Sequence, residues 1–122
     1  MINIIYLLFI HWIADFITQT DRQAKGKSKS IDCLLSHIFC YTIVLTTFGS
    51  CIIFKSSIID IILFISINSI SHGIIDYFTS KINSYLWSKG DVHNFFVSIG
   101  FDQFLHISIL FISYNYIILG VV

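Results

Sequence analysis

The sequence predicts an all-α integral membrane protein: a single domain over residues 1–122, folded as a bundle of four antiparallel transmembrane helices. Apolar residues make up 56% of the 122 residues and charged residues only 11%, which is far more apolar than a soluble domain. A bilayer core of roughly 30 Å requires about 20 apolar residues in each helix. The stretches that meet this length are, approximately, 3–20, 32–54, 58–78 and 95–119.

The connections between these helices carry an uneven distribution of positive charge. We expect a basic loop at 21–30, a tight turn at 55–57 and a longer polar connection at 79–94. The first and third lie on the same side of the membrane and hold six of the seven lysine and arginine residues. The positive-inside rule therefore predicts that both termini face away from the cytoplasm. The first helix lacks a basic start and a cleavage site, so we expect it to be retained.

Composition limits the partners and the redox chemistry. Basic and acidic residues balance at seven each, so net charge gives no indication of a nucleic-acid partner and none is predicted. The lipid bilayer is the predicted partner, and a homo-oligomer is compatible with the sequence. Cys33, Cys40 and Cys51 lie in or beside one apolar segment without paired spacing, which argues against disulfides.

Ionisable residues form polar stripes within the apolar stretches. Such residues are costly in a membrane helix unless they are paired or face a wet cavity. Residues four apart share one face of a helix, and the stripes so defined are His11, Asp15 and Gln19; Cys33 and His37; Asn68, His72 and Asp76; and Ser98, Asp102 and His106. We expect the stripes to turn inward, because the alternative is to face lipid, and to form a polar pocket open to the cytoplasm.

The residue types in these stripes point to a metal site. Imidazole and carboxylate groups suit zinc, iron or manganese, and the candidate ligands are His11, Asp15, His72, Asp76, Asp102 and His106. This set exceeds the needs of one tetrahedral ion and suits one or two divalent ions with bridging carboxylates. A hydrogen-bonded network without metal is the alternative. Haem is disfavoured because it leaves the carboxylates without a role.

Other polar residues near the stripes have candidate supporting roles. His37 is a further ligand or a catalytic acid or base, and Gln19, Asn68 and Ser98 are candidates for hydrogen bonds to the ligands. Arg22, Lys25 and Lys27 lie in the basic loop. They either determine topology alone or also attract an anionic lipid head group or a phosphorylated substrate.

Several motifs in this chain occur together in one known family. They are the run HWIADFITQ from His11 to Gln19 with Lys27 downstream, Ser36-His37, the run SHGIID from Ser71 to Asp76 with Lys81, and the run FDQFLH from Phe101 to His106. Together they resemble the small polytopic membrane family of bacteria and phages catalogued as domain of unknown function 3307, over nearly the whole chain. The resemblance implies that these positions form one signature and that the membrane is a bacterial inner membrane, and it brings no activity with it.

The functional hypothesis is an intramembrane metal-dependent hydrolase of a lipid or lipid-linked substrate. A phosphoester is one candidate for the bond that it cleaves. The sequence lacks an HExxH motif, which argues against zincin-type peptide hydrolysis. The alternatives are a transporter or channel for protons or divalent cations, and an accessory membrane protein with a structural polar core. The outer half of each predicted helix has few ionisable residues, which counts against a path across the membrane.

Overall fold

The computed structural model describes residues 2–53 and 56–121; of residues 2 and 50–53 only the backbone is described. This part of the chain contains helices and no strand, which confirms the all-α prediction. The elements in chain order are α1 (Ile2–Trp12), a π-helical turn (Ile13–Ile17), α2 (Asp21–Gly26), α3 (Ile31–Ile53), α4 (Ile58–Ser88), α5 (Val92–Ser113) and a second π-helical turn (Tyr114–Ile118).

Helices of membrane-spanning length dominate the fold. The segments Ile31–Gly49, Ile58–Ser88 and Val92–Ile118 are each long and apolar enough to cross a bilayer, so the protein is membrane-associated. The apolar part of the first helix, Asn3–Ile17, is shorter. At 1.5 Å per residue it measures about 22 Å, so a fourth crossing stays a prediction, as does the orientation of the termini.

Helix α4 extends ten residues beyond its predicted end at residue 78. The predicted polar connection at 79–94 was therefore wrong: only residues 89–91 separate α4 from α5. Gly90 makes this short turn with a φ of +70°, which glycine adopts without steric cost. Asp91 then caps α5 by accepting a hydrogen bond from the Asn94 backbone, and the Asn94 hydrogen bonds hold the pKa of Asp91 below its usual value. Polar composition alone did not end α4, because residues 79–88 contain neither glycine nor proline.

The predicted basic loop is helical in its first part. Thr20 and Gln23 form a capping box at the start of α2, in which each side chain bonds the backbone N–H of the other. The Gln23 amide also donates to Ser36 Oγ at 2.9 Å and ties α2 to α3. A Cβ atom at Gly26 would lie 2.6 Å from Cys33 Sγ, so this glycine permits the close approach. The segment that carries Lys27 is thus held against the bundle.

The first helix ends at Ile17 rather than at the predicted residue 20. A π-helical turn closes it, with the Thr18 backbone N–H bonded to Ile13 O at 2.9 Å. Asp15 lies buried inside this turn, and Gln19 falls in the connection to α2. Single π turns inside helices occur frequently at functional sites. This one breaks the regular spacing on which the stripe from His11 to Gln19 was based.

The bundle is layered along its length. An apolar layer lies toward the end of the bundle that holds the two termini, and it comprises Leu7, Ile10, Ala14, Tyr41, Val44, Leu45, Phe64, Leu110 and Tyr114. At the turn between α3 and α4, the Ser57 side chain caps α4 by accepting a hydrogen bond from the Asp60 backbone N–H. Lys55 of the predicted tight turn and the Cys51 side chain lie outside the described residues. Cys33 and Cys40 are free thiols.

Candidate metal centre

Four helices bring their histidines and aspartates into one buried cluster. Each of the following side chains belongs to a residue that is at most 7% exposed: His11, Asp15, His37, His72, Asp76, Asp102 and His106. They come from the first helix and from α3, α4 and α5. The fifth histidine, His93, is exposed near the start of α5. The predicted convergence of the stripes is confirmed.

Four of these residues, Asp15, His37, His72 and Asp76, each offer a ligand atom within 4.8 Å of the others. The Nε2 atoms of His37 and His72 lie 3.0 Å apart. Asp15 Oδ1 is 3.1 Å from His37 Nε2 and 3.6 Å from His72 Nε2, and Asp76 Oδ2 is 3.2 and 3.6 Å from the same atoms. Ligand atoms around a tetrahedral ion with bonds of about 2.0–2.1 Å are separated by about 3.3–3.4 Å. Five of the six separations among these four atoms are therefore close to the value for a tetrahedral ion.

A second group adjoins the first and shares Asp15 with it. Asp15, Asp102 and His106 also offer ligand atoms within 4.8 Å of one another. His106 Nε2 lies 3.4 Å from Asp76 Oδ1 and 3.5 Å from Asp102 Oδ1. This buried nitrogen forms no hydrogen bond within the described part of the chain. The carboxylates of Asp15 and Asp76 thus lie between the two groups, where each can bridge them.

A lysine from the segment after α2 reaches the first group. Lys27 Nζ lies 2.8 Å from Asp76 Oδ2, and its side chain is 16% exposed. Three buried carboxylates against one ammonium leave two uncompensated negative charges if the histidines are neutral. Uncompensated charge in a low-dielectric interior is costly, so the cluster favours binding a further cation or protonating histidines.

Gln103 orients the carboxylates from the outside. Its amide nitrogen donates to Asp15 Oδ2 at 2.7 Å and to Asp102 Oδ2 at 3.1 Å. This leaves Oε1 to accept from His11 Nε2 at 3.2 Å, and His11 Nδ1 lies 3.4 Å from the Tyr41 hydroxyl. His11 lies outside both groups of close ligand atoms, whereas His37 lies inside the first.

Tyr41 supports His72 through its ring. The two rings are stacked, with centroids 4.0 Å apart and an angle of 8° between their planes. Sequence reasoning missed Tyr41, although it follows His37 by four residues and so extends the stripe of Cys33 and His37. It also missed Gln103 and Thr79 as site residues; Thr79 donates to Asp102 Oδ1 at 2.6 Å. Thr79 was missed because the third helix was predicted to end at residue 78.

The predicted supporting residues fall in different places. The Gln19 amide lies 3.2 Å from His37 Nδ1, within hydrogen-bonding distance. Asn68 instead bonds Ser113 Oγ and Phe64 O in a separate buried pair of contacts. Ser98 is only partly buried, and no contact places it against the ligand groups. Arg22 is exposed on α2.

A cavity of about 760 Å³ opens beside the cluster. Its polar floor includes Asp15, Asp102 and Gln103, and Lys25, Lys27 and Lys29 contribute to its wall. Aromatic side chains complete it, among them Phe16, Trp87, Phe95 and Phe96. The size lies within the range of small-molecule sites. A pocket beside the polar stripes is thus present, although its lining is mostly apolar, and it reaches two residues of the second group.

Comparison with known proteins identifies the family and no closer relative. No curated protein and no solved structure matches this chain at a significant level. The model of the family described as "Protein of unknown function (DUF3307)" matches residues 3–121. The match covers both ligand groups, Lys27 and Gln103, and it confirms the resemblance drawn from the motifs. The chain belongs to the DUF3307 family.

Proposed function

We propose that this protein is an intramembrane metal-dependent hydrolase that acts on a lipid or lipid-linked phosphoester. The observation that carries the proposal is the close approach of ligand atoms from His37, His72, Asp15 and Asp76, which lie within 4.8 Å of one another. A single divalent ion in this group, of which zinc, iron and manganese are the candidates, would satisfy the charge of the cluster together with Lys27. His37 then serves as a ligand rather than as the catalytic acid or base.

Proton positions favour the first group as the tighter site. His72 Nδ1 and His106 Nδ1 lie 3.1 Å apart, which is within hydrogen-bonding distance. If His72 binds the ion through Nε2, its Nδ1–H donates to His106, whose own proton then lies on Nε2 and faces Asp76 and Asp102. A second ion at His106 requires the loss of that proton. We therefore expect one tightly bound ion and a weaker second one.

The cavity supports a hydrolytic role. Carboxylates, lysines and aromatic side chains all line it. The lysines suit a phosphate group, and the aromatic side chains suit hydrocarbon. The bound ion would activate water and polarise the scissile bond. In the hydrolysis, the hydroxyl of water goes to phosphorus and its proton to the leaving oxygen. Lys25 and Lys29, which also line the cavity, would balance the phosphate charge, while His11 positions Asp15 and Asp102 through Gln103.

A proton or cation transporter is the second candidate. It is favoured by the chain of contacts from His37 through His72 to His106, with nitrogen separations of 3.0 and 3.1 Å. This chain runs across the bundle, between α3, α4 and α5. The apolar layer around Leu7, Phe64 and Leu110 closes the path toward the other membrane face, which favours the hydrolase.

Elemental analysis tests the metal site directly. The protein is purified in detergent or nanodiscs without chelator, as wild type and as His72→Ala, Asp76→Ala and His93→Ala. We expect about one equivalent of metal in the wild type and in His93→Ala, whose imidazole is exposed, and a loss in the other two. Absence of metal from folded wild type, even after reconstitution, would reject the hydrolase and favour a proton relay or a structural polar core. If the wild type retains metal, the next measurement is an assay of phosphoester hydrolysis in lipids.

A further inference from the structure

The cavity beside the cluster has polar atoms without partners on its α4 wall. Ser80 Oγ and Asn83 Oδ1 are both buried, and neither has a hydrogen-bond partner in the described part of the chain. Ser80 is 7% exposed, and both residues line the cavity. A buried polar atom without a partner costs about 1–3 kcal/mol, so such atoms are expected to be satisfied by a ligand.

The chemistry of these atoms limits the ligand. Asn83 Oδ1 only accepts hydrogen bonds, and Ser80 Oγ both donates and accepts. The ligand must therefore present a donor, either a hydroxyl or an amine, at this wall. Lys25 and Lys29 also line the cavity; unlike Lys27, which is paired with Asp76, neither is bound to the cluster, and a phosphate is the group that complements their charge. A hydroxyl on an anionic molecule satisfies both requirements.

The remaining wall is apolar and leads to the membrane. Phe16, Phe95, Phe96 and Ile99 line it. Phe16 is 46% and Phe96 62% exposed, and side chains exposed on membrane helices contact lipid. A ligand can therefore keep its hydrocarbon in the bilayer while its head group occupies the cavity.

We propose that this cavity binds an anionic phospholipid whose head group carries hydroxyls, as in phosphatidylglycerol. Lysine ammonium groups contact the phosphate, Ser80 and Asn83 contact the head-group hydroxyls, and the aromatic wall holds the start of the acyl chains. Naming this lipid as the substrate rests on the proposed hydrolase. Binding itself does not require the metal.

Lipid binding is measured on the full-length protein in detergent, with a chelator present so that no turnover occurs. Native mass spectrometry compares phosphatidylglycerol with phosphatidic acid, phosphatidylethanolamine and phosphatidylcholine, and glycerol 1-phosphate serves as a soluble competitor. We expect phosphatidylglycerol to bind about tenfold more tightly than phosphatidylcholine or phosphatidylethanolamine. Glycerol 1-phosphate should not displace it at equal concentration, because it lacks the acyl chains.

Variants of the α4 wall separate head-group recognition from general lipid binding. Asn83→Ala and Ser80→Ala should each weaken phosphatidylglycerol binding about fivefold, as expected for one lost hydrogen bond of about 1 kcal/mol, and leave phosphatidic acid binding unchanged. Ser98→Ala is the matched control, because Ser98 does not line the cavity. The fold of each variant is checked by its thermal unfolding midpoint.

Three results would overturn the proposal. They are equal binding of phosphatidylglycerol and phosphatidylcholine, a preference for the amine head group, and a uniform loss of all lipids in the two variants. Full competition by glycerol 1-phosphate would reject a lipid as the ligand. Selective lipid binding, together with elemental analysis that finds no metal in protein prepared without chelator, would support the lipid site and reject the hydrolase, so the two failures are distinguishable.

Discussion

Lys27 and Asp76 are 49 residues apart in the chain and form a buried ion pair, with Nζ 2.8 Å from Oδ2. The same Asp76 oxygen belongs to the first group of ligand atoms, together with those of Asp15, His37 and His72. Lys27 therefore neutralises part of the charge of the cluster, and it also competes with a metal ion for Asp76. This pair connects the basic segment after α2 to the proposed metal chemistry.

Replacing Lys27 should affect stability and metal binding in opposite directions. In the metal-free protein, Lys27→Ala leaves a buried carboxylate unpaired and should cost about 3–5 kcal/mol. Metal binding should become tighter, because no ammonium competes for Asp76. Lys25→Ala is the control, since Lys25 forms an exposed pair with Asp21 and should cost less than about 1 kcal/mol. Unfolding curves with and without chelator measure both effects, and equal costs for the two variants would contradict the buried pair.

His37 and His11 should differ in their effect on the metal. His37→Ala removes a ligand and should weaken metal binding by more than about a hundredfold. His11→Ala loosens Gln103 and should weaken it by about 10–100-fold, the range for partners of ligands. Competition with a metal-binding dye measures both affinities, with His93→Ala as the control. A larger loss of metal affinity in His11→Ala than in His37→Ala would indicate that His11 is the ligand and His37 the supporting residue.

Gly73 sets the distance between α3 and α4 next to the site. A Cβ at this position would lie 2.5 Å from Ile38 Cδ1, whereas a Cβ at Gly100 meets nothing within 4 Å. Gly73 adjoins His72, and Ile38 adjoins His37, so a shift here separates the two imidazoles. We expect Gly73→Ala to cost about 1–3 kcal/mol of stability and to weaken metal binding. Gly100→Ala should neither lower stability nor weaken metal binding. Both substitutions gain helix propensity, so the stability change at Gly100 measures that gain and can be subtracted from the change at Gly73.

Metal removal should lower stability in proportion to occupancy. A ligand at a hundred times its dissociation constant stabilises the folded state by about 2.7 kcal/mol. Addition of a chelator should therefore lower the unfolding midpoint of the wild type, and the original metal should restore it. Asp76→Ala, which lacks the shared oxygens, should not respond. A wild-type midpoint that is insensitive to chelator would indicate a metal-free network.

The candidate site could be predicted in part from local spacing. His72 and Asp76 share one face of a regular helix, as do Asp102 and His106, and so their convergence follows from the cost of facing lipid. The same spacing continues from Asp76 to Ser80, but a third helix that ends at residue 78, as predicted, does not include Ser80. Gln103 belongs to none of the stripes. Its contacts with His11 and Asp15 depend on how α5 packs against the first helix.

The sequence by itself determined the helical class, the membrane association and the set of buried ionisable residues. These follow from composition and from periodicities of a few residues, which act locally along the chain. Only the tertiary structure decided which histidines are close enough to share an ion, that Lys27 reaches Asp76, and that a π turn places Asp15. Those relations depend on the rotation and separation of packed helices. Such quantities are set by side-chain contacts between residues far apart in the chain, as at Gly73 and Ile38, and local spacing carries no information about them.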